Sequence, residues 1–294
     1  MRRLFLFFII VLGFASCKND PNLLMQNEIN QLELLVKEGA EQEDIEILLE
    51  TYQSYISEYT NDSKSPVYLI RAAELLSRIN RPQSAVELLE KGYREYYNSL
   101  NNAANGLFLG NILREKFQNE LLAQIVYKCT LEFFPNTNDV KKKIIDSTLS
   151  VPQTLDNISE LIFNENTGKI DFLQANNFIE GSVLFTMLQP DNKLVPEYLF
   201  KASEASRAIQ KYSRTIDLYE WLITNYKEYN KIGQVHFLYA FTLDNDLGRM
   251  EDAKIAYNDF IEKFPNSDFI DDAKFLIENL GKSEEEIIES FNRK

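Results

Sequence analysis

The stretches AKIAYNDFIEKFPNS, from Ala253 to Ser267, and AQIVYKCTLEFFPNT, from Ala123 to Thr137, decide the fold of this 294-residue chain. Each begins with alanine and has tyrosine four residues later, an apolar residue four beyond the tyrosine and a Phe-Pro-Asn turn at its end. Side chains at spacings of three and four share one face of an α-helix. Proline ends such a helix, and the Ser or Thr that follows is a common cap of the next one. Each stretch therefore predicts an amphipathic helix that stops at its proline.

The same pattern recurs along the chain at a nearly constant period. Equivalent positions are separated by 37, 38, 92 and 38 residues, and these positions are Leu48, Ala85, Ala123, Thr215 and Ala253. A weaker copy at Phe178 divides the long interval into 55 and 37 residues. A fixed period of this length is the signature of a repeat architecture.

Each copy follows a predicted helix that carries small residues near its middle. These residues are Ala73 ahead of Ala85, Ser203 ahead of Thr215, and Ala240 ahead of Ala253. Small side chains let two antiparallel helices approach closely, and the aromatic residue then fills the space towards the next pair. We expect Ala253 at the closest approach of its pair, and Ala256 nearer to the surface.

This pattern resembles the tetratricopeptide repeat (TPR), a helix pair of about 34 residues that stacks into a superhelix. The matching small residues, alanines, aromatics and prolines are Ala73, Ser203, Ala85, Ala123, Ala253, Tyr127, Tyr219, Tyr257, Pro135 and Pro265. The resemblance implies an all-α fold, a TPR-like α-solenoid of antiparallel helix pairs. The chain departs from the family in its longer period, in Thr215 at an alanine position and in Asn111 at a small position. Long units with this turn are similar to those of periplasmic envelope lipoproteins, namely the repeat lipoprotein of the outer-membrane β-barrel assembly machine and the Tol–Pal coordinator.

The first 17 residues, MRRLFLFFIIVLGFASC, resemble the signal sequence of a bacterial lipoprotein. The apolar run is shorter than the roughly 20 residues that span a membrane, and it suits a cleaved signal. Ala15-Ser16-Cys17 resembles the lipobox, which implies cleavage after residue 16 and a membrane anchor of acyl chains on Cys17. Phe14 departs from the aliphatic residue usual at its place, and an ordinary secreted protein with a chance cysteine is the alternative. The residue after Cys17 is Lys18 and not the aspartate that signals inner-membrane retention in some bacteria, so the outer membrane is favoured. The sequence does not indicate which leaflet of that membrane carries the protein.

These features divide the chain into five segments. They are a signal peptide at 1–16, a lipidated cysteine and tether at 17–22, N-terminal repeats at 23–135, a helical insertion or kink at 136–170 and C-terminal repeats at 171–294. Inside the insertion, helices are predicted from Asp139 to Leu149 and from Leu155 to Phe163, with a break at Val151-Pro152.

The composition argues against several classes of function. A formal net charge of −14 repels phosphate backbones and anionic lipids, so neither nucleic-acid binding nor charge-driven membrane binding is expected. His236 is the only histidine and lies among apolar residues, and the glycines form no phosphate-binding loop. We therefore expect no catalytic residue, no metal site and no cofactor. Cys129 and Trp221 occupy apolar helical stripes, and we expect both in the core.

The predicted binding surface lies on the first helices of the pairs, which line the concave face of such arrays. Side chains that point away from the partner helix are expected to be exposed there together. By register they are Ile70, Glu74, Arg78, Phe108, Ile112, Phe200, Glu204 and Arg207. A mixed apolar and charged groove of this kind suits an extended peptide or a partner helix. The alternative is that each is an ordinary surface residue of a stacked repeat.

The sequence thus favours a non-catalytic, membrane-anchored adaptor in a bacterial cell-envelope complex. Its expected partner is another envelope protein, such as an outer-membrane β-barrel or a secretion subunit. A solute- or glycan-binding outer-membrane lipoprotein associated with a transporter is the alternative, although that family is much longer and carries aromatic-lined insertions. An envelope hydrolase is a third interpretation, and no motif points to it.

Overall fold

The computed structural model describes residues 20–39, 41–145, 148–164, 167–282, 285–286 and 288. Among these residues the regular structure is helical, apart from one antiparallel pair of two-residue strands, β1 (Phe163–Asn164) and β2 (Lys169–Ile170). The predicted all-α class is therefore confirmed, while the stacking of the helix pairs into a solenoid stays a prediction. The predicted signal peptide and Cys17 lie outside the described residues.

The chain forms two compact units, the first ending at Arg81 and the second beginning at Pro82. The helices of the first unit are α1 (Pro21–Lys37), α2 (Gln42–Glu58) and α3 (Ser65–Arg78). Those of the second are α4 (Pro82–Leu100), α5 (Ala103–Glu115), α6 (Glu120–Phe133), α7 (Asn138–Lys141), α8 (Val151–Glu160), α9 (Phe172–Leu188), α10 (Val195–Ala208), α11 (Tyr212–Asn225), α12 (Ile232–Phe241), α13 (Met250–Lys263) and α14 (Ile270–Asn279). In the second unit α5 packs on α6, α10 on α11 and α12 on α13, as the repeat predicts, and α9 packs on both α6 and α10.

A residue with left-handed backbone conformation marks the turn before four of the five equivalent positions of the repeat. Positive φ angles occur at Asn80 (61°), Gln118 (54°), Gln210 (61°) and Gly248 (63°). These residues lie five positions before Ala85, Ala123, Thr215 and Ala253, respectively. A left-handed residue just after a helix is a common way to end it. The backbone therefore repeats at the same positions as the sequence pattern.

Buried tyrosines join the two helices of each pair. Three copies in the second unit have tyrosine four residues after their first residue. In each of them both residues are fully buried, namely Ala123 with Tyr127, Thr215 with Tyr219 and Ala253 with Tyr257. The hydroxyl groups of these tyrosines donate to Asn111 Oδ1 at 2.9 Å, to Glu204 and to Asp244 Oδ2 at 3.4 Å, respectively. Each acceptor belongs to the preceding helix or its π-helical extension, so the hydroxyl that burial removes from water keeps a partner.

The α5–α6 pair departs from the predicted register by one residue. The small residue that faces α6 is Gly110, because a Cβ atom there would lie 2.2 Å from Tyr127 Cε1. Gly106, one turn earlier, meets Thr130 in the same way. Asn111 is half-buried and bonds the tyrosine hydroxyl instead. Two glycines therefore permit the close approach for which a small residue was expected at position 111.

The helix predicted from Asp139 to Leu149 is wrong. α7 ends at Lys141, and the described residues between α7 and α8 are not helical. The carbonyl oxygen of Lys143 accepts hydrogen bonds from an arginine of α5 and a glutamine of α6, and that of Leu149 accepts one from Lys128 Nζ at 2.8 Å. Side chains of the neighbouring pair thus bond carbonyl groups that a continuing helix would have used.

The second helix of the insertion also differs from its predicted bounds. α8 begins at Val151 and ends at Glu160, whereas we expected Val151-Pro152 to act as a break and the helix to reach Phe163. Pro152 lies in the first turn, where its missing N–H leaves no helical bond unmade, and Ser150 caps the turn. Phe163 instead belongs to β1.

Helices α12, α13 and α14 enclose one apolar cluster. Ala253 and Tyr257 are fully buried there, and the ring of Phe237 stacks on that of Phe269 with 4.8 Å between centroids. Ala256, expected nearer to the surface, is only 8% exposed and belongs to the same cluster. The reason is that both α12 and α14 pack on α13, so more than one of its faces is covered.

Candidate functional site

Two of the three predicted binding residues on α3 are exposed, as the register implies. Glu74 and Arg78 are exposed, and Ile70 is half-buried. Within the first unit, these three positions therefore present charged groups beside a partly covered apolar side chain.

Two of the other predicted residues are buried, so the expectation that they are exposed is wrong. Ile112 is 3% exposed and Phe200 is 8% exposed, while Phe108 is half-buried. α5 is covered by α4 and α7 as well as by α6. The ring of Phe200 lies 6.2 Å from that of Tyr229 and 5.3 Å from Lys231 Nζ, both in the segment that leads into α12. Contacts from outside the helix pair thus close this part of the expected groove.

Glu204 and Arg207 line one polar cavity of about 410 Å³. Arg207 Nε donates to Asp246 Oδ2 at 2.6 Å, and the guanidinium lies 4.9 Å from the ring centroid of Phe241. Asp246 ends a π-helix, Thr242–Asp246, that continues α12. π-Helical turns are rare and are frequent at functional sites. Both predicted residues therefore already have partners, Arg207 in Asp246 and Glu204 in the hydroxyl of Tyr219.

A larger cavity of about 530 Å³ lies among α4, α5, α6, α9 and α11. Its apolar lining includes Val86, Leu113, Phe117, Val183, Leu184 and Met187, and its polar lining includes Glu90, Asn176, Glu180, Lys211 and Arg214. Ligand pockets in proteins typically measure about 300–1,000 Å³ and combine an apolar wall with a few polar groups. This cavity has both properties.

A connected network of five charged side chains adjoins the cavity. Its members are Glu90 and Arg94 on α4, Glu180 on α9, and Arg214 and Asp217 on α11. The Arg214 guanidinium is its centre, with nitrogens 2.8 and 3.0 Å from Glu90, 2.9 Å from Asp217 and 3.2 Å from Glu180. Arg94 donates to both oxygens of Asp217, at 2.7 and 2.8 Å. Three carboxylates thus share two guanidinium groups.

Burial and pairing shift the pKa of three groups in this network. Burial raises the pKa of the Glu180 carboxyl, and the charge of Glu90 adds to the rise against the attraction of Arg214. Burial alone would lower the pKa of the Arg214 guanidinium, but its bond to Glu90 and the surrounding carboxylates raise it overall. For Asp217, burial is outweighed by the hydrogen bond and charge of Arg94, and its pKa is lowered. The ionised form of Asp217 is therefore favoured, whereas the ionised form of Glu180 is less favoured than that of a free carboxyl.

Trp221, on α11, contacts the charged network through Arg94. The Arg94 guanidinium carbon lies 3.8 Å from its ring centroid, which is a cation–π contact. Trp221 is 8% exposed, so the prediction that it belongs to the core is confirmed. The indole face and the carboxylates together fix the position of Arg94.

We did not predict this network from the sequence, although the spacing of its charged residues indicates two of its ion pairs. Glu90 and Arg94 are four residues apart and Arg214 and Asp217 are three apart, which are the spacings of helical ion pairs. Glu180 is the one charged residue of α9. The association of these parts across the chain has no sequence signal.

Cys129 lies in the core, as predicted, and His236 is buried as well. His236 is 7% exposed, with Nδ1 3.4 Å from Asp259 Oδ2 and its ring 5.0 Å from that of Phe264. Burial lowers the pKa of the imidazole, against the opposing charge of Asp259. Cys129 is fully buried, and burial raises the pKa of its thiol well above the ordinary value.

Within the described ranges, no three His, Cys, Asp or Glu side chains are grouped so that they could hold a metal ion. No described helix is both long and apolar enough to cross a membrane. No protein-family model matches the chain, and no curated protein matches it.

Proposed function

We propose that this chain is a non-catalytic adaptor that is anchored through lipidated Cys17 and binds another protein of the bacterial cell envelope. The observation that carries the proposal is the cavity of about 530 Å³ among α4, α5, α6, α9 and α11. Its apolar wall and charged groups lie side by side, which suits a partner segment that presents both kinds of side chain. The proposed location is the outer membrane.

The rigidity of the charged groups supports binding as the role of this cavity. Arg214 has ion-pair partners on three helices, and Arg94 is held between Asp217 and the indole of Trp221. Side chains that are already fixed lose little conformational freedom when a partner binds. The network therefore offers a partner a charge pattern that needs no rearrangement.

The repeating backbone supports the class of protein proposed. Buried tyrosines recur at positions that carry the tetratricopeptide resemblance, and left-handed turn residues recur five positions before the first residue of a copy. Arrays of such helix pairs generally bind other proteins through extended surfaces. An acyl anchor on Cys17 would keep such a surface next to envelope proteins.

Affinity capture from detergent-solubilised membranes tests the proposal. The full chain is compared with Phe117→Glu, which places a charge on the cavity wall at a side chain 38% exposed, and with Phe133→Glu, which changes a side chain 49% exposed that does not line this cavity. A β-barrel or secretion subunit retained by the wild type and by Phe133→Glu, but lost with Phe117→Glu, is the expected result. Recovery of a transporter would favour the solute- or glycan-binding alternative. Equal recovery with all three chains would contradict the proposal.

A further inference from the structure

Two hydrogen-bond acceptors on α9 line the cavity one helical turn apart. Asn176 Nδ2 donates to the carbonyl oxygen of Phe172 at 2.7 Å, which orients the amide, and Asn176 Oδ1 is buried with no donor among the described residues. The carboxylate of Glu180 contacts Arg214 at 3.2 Å, through one of its two oxygens. Buried acceptors are normally satisfied, so Asn176 Oδ1 has unused capacity to accept a hydrogen bond. The second oxygen of Glu180, whose side chain is 41% exposed, can accept one as well.

The charge balance at the same place favours a cation. The cavity is lined by three carboxylates, Glu87, Glu90 and Glu180, and by two cations, Lys211 and Arg214, so its charged lining carries one excess negative charge. The positive charge of Lys211 already acts on Glu180, and Arg214 is bonded to Glu90, Glu180 and Asp217. An additional positive group at Glu180 would neutralise the remaining excess without displacing Arg214.

The next turns of α9 continue the cavity with apolar side chains. Val183, Leu184 and Met187 follow Glu180 along the lining, and Leu113 and Phe117 add to the apolar wall. A group that fits both regions has hydrogen-bond donors and a positive charge at one end of a hydrocarbon stem. A lysine side chain has this composition, with three ammonium N–H donors on four methylenes. Arginine fits less well, because its planar fork binds a carboxylate through both oxygens and one oxygen of Glu180 already accepts from Arg214.

We propose that the cavity binds a lysine side chain from a segment of the partner protein, with its ammonium group at Glu180 and Asn176 Oδ1 and its methylenes along Val183, Leu184 and Met187. This proposal rests on the proposed function, because the lysine is assigned to a protein partner. A volume of about 530 Å³ leaves room for the residues that flank the lysine.

Two small probes separate the contribution of the ammonium group from that of the stem. The full chain, purified in detergent, is titrated by calorimetry with N-acetyl-lysine methylamide and with N-acetyl-norleucine methylamide, which keeps the alkyl chain and lacks the ammonium. The lysine probe is expected to bind at least about tenfold more tightly, because it adds charge-assisted hydrogen bonds. Equal binding of the two probes, or binding of neither, would overturn the proposal.

Matched variants locate the bound ammonium. Glu180→Gln keeps the shape of the side chain and removes its charge, and it should weaken binding of the lysine probe by about tenfold or more. Asn176→Ala should weaken it as well, and it serves as the second variant if Glu180→Gln does not fold. Glu262→Gln, an exposed carboxylate on α13, should leave the affinity unchanged. An affinity that is unaffected at both 176 and 180 would contradict the assignment.

Cadaverine, a free alkyl diamine, provides the remaining comparison. If it binds at least tenfold more tightly than the lysine probe, the cavity belongs to a small molecule and the lysine assignment is wrong. Capture of an envelope partner that the lysine probe fails to displace would overturn this inference and leave the adaptor role standing. Binding of the lysine probe without capture of any protein would instead count against the adaptor role.

Discussion

The ring of Tyr127 fills the space in front of Gly110, so that a Cβ atom on this glycine would lie 2.2 Å from Tyr127 Cε1. The tyrosine has no room to retreat, because it is fully buried and its hydroxyl is bonded to Asn111 at 2.9 Å. The distance between α5 and α6 is thus set by the absence of a side chain at one position.

Gly110→Ala should therefore lower the free energy of unfolding by about 1–3 kcal/mol through overpacking. Helix propensity alone predicts the opposite sign, a gain of roughly 1 kcal/mol. Gly233→Ala on α12 is the control, because its Cβ atom would lie 3.3 Å from Phe264 and needs a much smaller adjustment. Urea denaturation measures both variants, and a stabilised Gly110→Ala protein would refute the packing described for α5 and α6.

Ala253→Leu should also cost about 1–3 kcal/mol, because Ala253 is fully buried where α12 and α13 pack. Ala256 is buried as well and is unsuitable as a surface control. Lys254→Leu introduces the same side chain at an exposed position of the same helix and should have little effect. Hydrogen exchange should show loosening of α12 to α14 in Ala253→Leu alone. Equal protection in the two variants would mean that the register of this pair is incorrect.

Arg214→Ala should lower the free energy of unfolding by about 1.5–3 kcal/mol, because it leaves Glu90, Glu180 and Asp217 to share one arginine while two of these carboxylates keep partial contact with water. Without Arg214 the pKa values of Glu180 and Asp217 rise, so protonation at about pH 4 should recover part of the loss. Arg249→Ala removes an exposed arginine that pairs with Asp252, and should cost at most about 1 kcal/mol. A loss in Arg214→Ala that is small, or independent of pH, would contradict the network.

His236 should make stability depend on pH. Burial lowers the pKa of its imidazole in the folded chain, while in the unfolded chain the pKa stays near 6.5. Below 6.5 the unfolded state therefore binds more protons than the folded state, and the stabilisation present above that pH is lost as the pH falls. Denaturation of the wild type and His236→Gln at several pH values should show a difference that shrinks below about pH 6.5. A difference that stays constant would rule out this linkage.

Cys17→Ser should abolish fatty-acid labelling and release the protein from the membrane pellet, because the acyl chains supply the proposed attachment. Cys129→Ser is the matched control, since Cys129 is fully buried and its thiol is held protonated. Metabolic labelling with fractionation measures both. Labelling of Cys17→Ser at the wild-type level would disprove the lipoprotein interpretation.

The helix pairs could be predicted because their determinants are local. Spacings of three and four residues between Ala253, Tyr257 and Phe260 form a stripe, and the following proline ends it. The same reasoning failed from Asp139 to Leu149, where carbonyl groups bond to side chains of α5 and α6 that are distant in sequence. Periodicity indicates which face of a helix is apolar, but it does not include such competing contacts.

The candidate site was less predictable for the same physical reason. Ile112 and Phe200 follow the pattern of exposed positions, yet elements from outside the pair cover them. Arg94 and Asp217 are 123 residues apart, and they meet because the fold brings α4 and α11 to the walls of one surface pocket. A charged residue in a sequence does not reveal which distant charge will neutralise it.

The π-helix Thr242–Asp246 has a genetic consequence. A π-turn contains one residue more than an α-turn, so a single inserted codon is enough to produce it. Deleting that codon would rotate the residues before the turn by about 100° relative to those after it. Arg207 would then lose the carboxylate of Asp246 that now lies 2.6 Å from its Nε atom. The pairing of the arginine on α10 thus depends on a single codon of the turn that carries Asp246.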